Sequence, residues 1–331
     1  LRESAEADVP RCAVVTGGAR GIGRAAALAL AAEGHRVAIV DPGVALDGSR
    51  PDPAPAERVT QEIRAAGGVA AAFVDDCRTA PAARALVEQV TGWSGAAPLV
   101  LVHAAGTLRD GMLHKGTDED WDEVLGAHLH VGAQLTRAVV PGMRAAGWGR
   151  IVYVGGAAGL VGSVGQAAYG LAKAGLFGLM RAAALELDRR GVTVNYLVPF
   201  AYTRMTDSIP PATPALERFK RDARASRPGD VAPLLAWLCS ERSAGVTGQV
   251  LGARGAELSV WSQPRPVGRA VRAEGFSPEL VDACVRGELA DGMTPLEGEF
   301  DLFATPAPMV VRPTPGRTAT DCDPDPSEVS E

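Results

Sequence analysis

Lysine is nearly missing from this chain of 331 residues. Three of its 33 basic residues are lysines (Lys115, Lys173, Lys220) and thirty are arginines, a bias we read as high-GC coding and not as function. Cysteine is also scarce. Cys12, Cys77, Cys239, Cys284 and Cys322 are scattered with no Cys-x-x-Cys pair, which excludes a zinc ribbon and argues against a disulfide framework. No metal site is expected elsewhere, because His128 and His130, two apart on a helical pattern, point their rings to different faces. No apolar run reaches the roughly 18 residues that a membrane span needs. Positive charge is not in excess: the formal net charge is −6, which removes the electrostatic basis for binding nucleic acid or an anionic membrane. Charges precede any apolar run in LRESAEADVP, so no secretory signal is expected, and a reducing cytoplasm is the expected compartment. What remains is ordinary globular composition, 47% hydrophobic and 22% charged, sufficient for one large core.

Short β-branched runs alternate with Ala/Leu-rich helical patterns. CAVVTG, RVAIVD, GVAAAFVD, PLVLVHAAG, GRIVYVGG and GVTVNYLVP read as strands. Between them GIGRAAALALAAEG, PAERVTQEIRAAG, PAARALVEQVTGW, DWDEVLGAHLHVGAQLTRAVVPGM and YGLAKAGLFGLMRAAALELDRRG carry helical spacing. Nearly all-apolar strands separated by helices predict a parallel sheet covered on both faces. The fold class is therefore α/β, a Rossmann-type doubly wound sheet with its ligand crevice at the carboxyl ends of the strands. The alternation ends near Glu257. We expect an N-terminal tail at 1–10, one main domain at 11–257, a short helical extension at 258–306 packed on it, and a disordered Pro/Asp-rich tail at 307–331. Within the extension, SPELVDACVRGELADG reads as a helix capped by Ser277 with Pro278 at its first position. Residues 41–57 read as a long loop after the second strand.

The first strand runs into Thr16-Gly17-Gly18-Ala19-Arg20-Gly21-Ile22-Gly23 and then a helix. Glycines let the backbone approach a pyrophosphate, and the helix N-terminus presents free N–H groups and partial positive charge. Strand, glycine turn and helix in that order predict a dinucleotide site. Asp41 closes the second strand, where a carboxylate accepts hydrogen bonds from the adenosine ribose and repels a 2′-phosphate, so NAD is expected over NADP. Arg20 pulls the other way, since an arginine in that turn can pair with a 2′-phosphate.

These motifs resemble the short-chain dehydrogenase/reductase family over about residues 11–257. The glycine turn has its T-G-x-x-x-G-x-G spacing, His103-Ala104-Ala105-Gly106 resembles its N-N-A-G segment, and Tyr169-Gly170-Leu171-Ala172-Lys173 its Y-x-x-x-K. The resemblance implies that Tyr169 and Lys173, four apart on one helix face, handle the proton, the lysine ammonium drawing the phenol pKa down and holding the nicotinamide ribose. It further implies an adenine contact from Asp75 or Asp76, and cofactor contacts from His103, Ala104, Ala105, Gly106, Pro199 and Thr203.

The 41–57 loop, the stretch following Thr107, TRMTD (203–207) and the C-terminal extension look more narrowly like the (3R)-hydroxyacyl-CoA dehydrogenase unit of peroxisomal multifunctional enzymes and its bacterial relatives. There a histidine replaces the active-site asparagine, and His128 stands at that place. Two residues depart from the family. Gly156, thirteen residues before Tyr169, stands where the family has its catalytic serine, and Phe200 follows Pro199 where glycine is common. Losing one such donor costs about 100- to 1000-fold in rate. Gln166 is the better placed substitute, ahead of Ser163. The expected function is NAD-dependent interconversion of a secondary alcohol and a ketone, on a small-molecule substrate of 3-hydroxyacyl or polyketide-like type, by a homodimer or homotetramer. The alternatives are a non-redox lyase, dehydratase or cyclase on the same fold, or a cofactor-binding pseudoenzyme paired with an active partner.

Overall fold

A computed structural model describes residues 11–45, 51–209, 213–303, 305 and 308–310. In chain order the sheet and helices are β1 (Cys12–Thr16), α1 (Gly21–Ala32), β2 (Arg36–Val40), α2 (Ala54–Ala65), β3 (Val69–Phe73), α3 (Ala80–Ser94), β4 (Val100–His103), α4 (Asp118–Leu125), α5 (Val131–Ala146), β5 (Gly149–Val154), α6 (Ala167–Leu187), β6 (Val192–Phe200), α7 (Arg204–Ser208), α8 (Pro214–Ala223), α9 (Pro228–Leu238), β7 (Val250–Arg254), β8 (Glu257–Val260), α10 (Pro278–Arg286) and α11 (Glu299–Leu302). The sheet order is β3-β2-β1-β4-β5-β6-β7-β8, parallel from β3 to β7 with β8 antiparallel at the edge. The strand order reverses between β1 and β4, which opens the ligand crevice beyond their carboxyl ends.

Strand periodicity divides the core into two layers. Val14, Leu101 and Ile151 pack into the layer under α3, α5 and α6, while Val15, Val102 and Val152 pack into the layer under α1 and α9. Because both faces are covered, the central strands read as near-continuous apolar runs, and polar residues within them, such as Arg150, Thr193 and Asn195, are buried.

Two strands lie beyond the six that the pattern predicts. β7 was obscured by glycines, and Gly252 is there for close approach: a Cβ would meet Ser259 Oγ at 2.4 Å and the Trp261 ring nitrogen at 2.8 Å. The long helix expected over DWDEVLGAHLHVGAQLTRAVVPGM is also interrupted. A π turn over Gly126–His130 separates α4 from α5. Thr117 caps α4 in a reciprocal pair with Asp120. Ser277 accepts from the Leu280 amide at 3.3 Å as α10 begins, and that helix ends at Arg286, short of the expected stretch.

The segment after β8 runs back over the main sheet. The Phe303 and Phe200 rings lie 5.1 Å apart, Phe300 and Phe219 4.9 Å apart, and the Ala256 amide donates to the Pro308 carbonyl. Of the expected tails, 1–10 lies outside the described residues, and so does 307–331 apart from 308–310. No described helix is long and apolar enough to cross a membrane.

Candidate functional site

A single cavity of about 620 Å³ runs along the carboxyl ends of β1, β2, β4, β5 and β6. Its first half is built mainly from backbone. Gly17 and Gly21 have φ of +65° and +52°, which glycine adopts without strain. A Cβ on Gly17 would meet the Ala104 carbonyl oxygen at 2.8 Å, and one on Gly23 the Gly17 carbonyl oxygen at 2.1 Å. The turn is thereby pressed against the Ala104–Ala105 backbone and against its own helix. Arg20 caps α1 without a side-chain bond to the helix, so the first N–H groups face the cavity unclaimed. This cradle fits a pyrophosphate.

Asp41 is buried at the end of β2, with one oxygen 3.0 Å from the Ala19 amide and the other 2.8 Å from the Gly43 amide. Both amides donate, so the carboxylate is fixed facing the glycine turn. The Arg20 guanidinium leans on the carbonyls of Val44 and Gly43 at 3.4 and 3.5 Å. Asp75 and Asp76 line the same end, Asp75 accepting from Gln89 and Asp76 from the Arg78 amide. Ile22, Ala104, Ala105, Gly106, Pro199 and Thr203 complete the wall.

Tyr169 and Lys173 stand one turn apart on α6 and both face the cavity. Lys173 Nζ donates to the Val154 carbonyl at 2.7 Å and lies 5.4 Å from the Tyr169 ring centre. The electrostatics differ from the sequence expectation. Burial pushes Lys173 down to about 7, and burial, with the charges of Glu299, Tyr196 and Asp110, holds the Tyr169 phenol well above its ordinary range. At Tyr169 desolvation outweighs the pull of the neighbouring ammonium.

Gly156 closes β5 beside Tyr169. Its φ of 179° is extended backbone that any residue adopts, and a Cβ there would lie 2.9 Å from the Tyr169 hydroxyl. Beneath it, Tyr196 of β6 fills the space where a residue 155 side chain would stand: a Cβ on Gly155 would sit 2.0 Å from the Tyr196 ring. The Tyr196 hydroxyl accepts from the Gly156 amide at 3.1 Å and lies 3.1 Å from the Gly156 carbonyl and 3.3 Å from that of Lys173. Glycine at 155 and tyrosine at 196 are thus one packing solution, and it clamps the strand end that carries Gly156.

His103, grouped by its sequence with the cofactor residues, is not in the cavity wall. It is fully buried and organises the loop behind it. The Ala105 amide donates to Thr16 Oγ1 (3.1 Å), whose hydroxyl in turn meets His103 Nδ1 (2.8 Å). His103 Nε2 lies 2.6 Å from the His128 carbonyl, which accepts only, so the proton sits on Nε2. Burial pushes His103 down to about 4, keeping it neutral. The His128 carbonyl lies in the π turn and accepts this bond beside the one from the Val131 amide. An imidazole in place of the shorter asparagine amide spans from β4 to the π turn.

His128 itself is buried in the wall, its ring edge-on to Tyr169 with centres 5.2 Å apart. Its Nε2 lies 2.8 Å from the Thr107 carbonyl, and burial holds its pKa well below the ordinary value. The opposite ring edge presses on Gly106, where a Cβ would strike Cε1 at 1.9 Å.

The second half of the cavity is closed by side chains that no motif marks. Gln166 Nε2 donates to Asp110 at 3.0 Å, the loop before α6 being tied to the loop after β4 by the Gly111 amide on the Gly165 carbonyl. Ser163 is not in the wall. Phe200 lies against Phe219 and Phe303, with Arg254 5.3 Å from its ring centre. Glu299 and Phe300, from α11, enter the wall opposite the glycine turn's end. Their only sequence signal is their place in an extension long enough to reach back.

A family model described as short chain dehydrogenase matches residues 11–213. The short-chain type dehydrogenase/reductase Rv0148 of Mycobacterium tuberculosis is 42% identical over 235 residues, covering 71% of this chain and 79% of that protein. The hydroxyacyl-CoA dehydrogenase ChsB1 of the same organism is 38% identical over 294 residues, covering 85% of this chain and 89% of that one. A crystal structure of a short chain dehydrogenase from Mycobacterium avium superposes with a TM-score of 0.74 at 34% identity, covering 88% of this chain and 98% of that one.

Proposed function

The chain belongs to the short-chain dehydrogenase family, and on that premise we propose that it is an NAD-dependent oxidoreductase interconverting a ketone and a secondary alcohol on a 3-hydroxyacyl-type substrate. The observation that carries the reading is the sharing of one cavity by the glycine turn, Asp41, Tyr169 and Lys173. When bound, the dinucleotide supplies or accepts the hydride. The chain's own residues do the rest. Backbone N–H groups at the start of α1 receive the pyrophosphate, and Asp41 receives the adenosine ribose, disfavouring a 2′-phosphate. Lys173, held on the Val154 carbonyl, faces the nicotinamide ribose and the tyrosine. Tyr169 keeps its proton on the hydroxyl because desolvation and nearby negative groups disfavour the phenolate, so it is set to donate that proton to a carbonyl oxygen in the reductive direction.

The substrate class rests on the resemblance to hydroxyacyl-CoA dehydrogenases. We further assign 11–257 as the catalytic unit, 258–306 as an extension that completes its cavity, and a homodimer or homotetramer as the assembly. Gly156 favours a second reading, a non-redox lyase, dehydratase or cyclase using Tyr169 as acid and base. The test follows NADH absorbance with a panel of 3-ketoacyl thioesters and simple ketones. Consumption of NADH is expected. Binding of NADH without consumption on any carbonyl favours the second reading.

A further inference from the structure

Any carbonyl reduced beside Tyr169 needs a second hydrogen-bond donor on its oxygen, and Gly156 has none to give. Most other polar groups near this end of the cavity are committed or out of reach. Gln166 donates to Asp110, His128 Nε2 lies against Thr107 while its Nδ1 has no partner among the described residues but is sealed from solvent, the Tyr196 hydroxyl sits among the backbone atoms of Gly156 and Lys173 outside the wall, and Ser163 does not reach it. Glu299 is different. Its carboxyl makes no hydrogen bond or ion pair with the described residues, yet it lies in the wall of the cavity that Tyr169 and Gly156 share. Its backbone is fixed by its own amide donating to the Gly162 carbonyl at 2.9 Å, on the loop that joins Gly156 to α6. Phe300 beside it packs on Phe219, and Phe303 on Phe200, so α11 is seated on the main domain by aromatic contacts.

Resting on the functional reading above, we propose that Glu299, delivered by the C-terminal extension, is a catalytic residue: its protonated carboxyl donates a hydrogen bond to the substrate carbonyl oxygen in the place of the missing serine hydroxyl. In the reductive step the carbonyl carbon gains the hydride, the C–O π pair moves onto oxygen, and that oxygen takes its proton from Tyr169. Glu299 keeps its own proton and lends only the hydrogen bond. A carboxylic acid suits this role as a hydroxyl does, provided it stays neutral. Burial, with Asp110 nearby, pushes Glu299 up to about 7. The groups facing it are Asp110 from the loop after β4, Tyr169 from α6 and Tyr196 from β6. On α8, packed against α11, Glu217 and Arg218 point to solvent, Lys220 is bound to the carbonyls of Asp207 and Ile209, and Arg221 pairs with Asp222. No cation among these stands ready to ionise the acid.

Three variants and two readouts test this. Glu299→Ala is expected to lose about 100- to 1000-fold in kcat with NADH affinity unchanged, as for removal of one oxyanion donor. Glu299→Gln, which retains an N–H donor but cannot ionise, is expected to keep much of the turnover and lose the fall in rate that wild type shows as pH rises through about 7. Adding Gly156→Ser to Glu299→Ala is expected to restore part of the loss, since the extended backbone there accepts serine once the Tyr169 hydroxyl, 2.9 Å from the new Cβ, gives by a few tenths of an ångström. Independently of turnover, the infrared difference between wild type and Glu299→Gln below pH 7 should contain the band of a protonated carboxylic acid, replaced by a carboxylate band above it. An active wild type with undiminished Glu299→Ala, or a carboxylate band throughout, overturns the role of Glu299. A wild type that binds NADH but reduces no carbonyl overturns the functional reading and the role with it.

Discussion

The two halves of the cavity are made of different material. The dinucleotide half is backbone: the glycine turn, the open N-terminus of α1, and one carboxylate held by two amides. The substrate half is a set of titratable side chains, Lys173 and His128 buried, Tyr169 and Glu299 half-buried, each pushed away from its ordinary pKa chiefly by loss of water. A backbone cradle binds by shape and fixed dipoles, and it is indifferent to pH over the neutral range. A wall of desolvated acids and bases performs proton chemistry, but its state depends on every neighbour and on what fills the cavity. Substitutions should therefore separate binding from turnover according to the half they touch.

The sharpest separation is expected at Tyr169. Tyr169→Phe removes one hydroxyl from the substrate half and should abolish measurable turnover while leaving NADH affinity within about twofold, as read by fluorescence titration and steady-state rates. Equal losses in both would erase the distinction between the halves.

Beneath the cavity, His103 joins the two halves, and its loss should register in stability. His103→Ala leaves Thr16 and the His128 carbonyl without their buried partner, at a cost of about 2–4 kcal/mol in urea unfolding. The pH dependence follows from its depressed pKa. Between 6.5 and about 4 the unfolded chain binds a proton that the folded chain refuses, so stability is fully present above 6.5 and is lost as pH falls toward 4, by about 3 kcal/mol. His103→Asn should lack that acid loss, which denaturation midpoints at two pH values would reveal.

A smaller effect belongs to the dinucleotide half. Wild type should bind NADH about tenfold or more tightly than NADPH, and Asp41→Ala should narrow the gap. Tighter binding of NADPH by wild type would shift the deciding role to Arg20, which lies close by on the carbonyls of Gly43 and Val44.

The same division governs what could be read from the residues in order. The glycine turn, Asp41 and the Tyr169–Lys173 pair are local patterns, each set by one turn or one helix face, so spacing pointed to the first two and the resemblance to the family's Y-x-x-x-K to the third. The six strands with unbroken apolar runs were legible for the same reason. β7 was not, because Gly252 is required by a contact with Ser259 and Trp261 that the strand itself does not display. The π turn was hidden because its own residues do not mark it, and the bond that ties it to His103 spans 25 residues. The direction of the Tyr169 shift was hidden too: charge proximity is visible in a four-residue spacing, whereas desolvation is a property of the closed cavity. Glu299, Asp110 and Tyr196 carry no motif at all: Glu299 enters the wall only through the packing of the extension, and Asp110 and Tyr196 act on it from a loop and β6 behind the wall.

Hydride transfer is the claim on which the account stands, and it has a direct test in isotope transfer. NADH deuterated at the transferable C4 position is incubated with the protein and a 3-ketoacyl thioester, and the product is read by mass spectrometry. The account predicts one deuterium on the new carbinol carbon in wild type and none in Tyr169→Phe. A product formed by wild type without deuterium would contradict it, placing Tyr169 in a non-redox reaction.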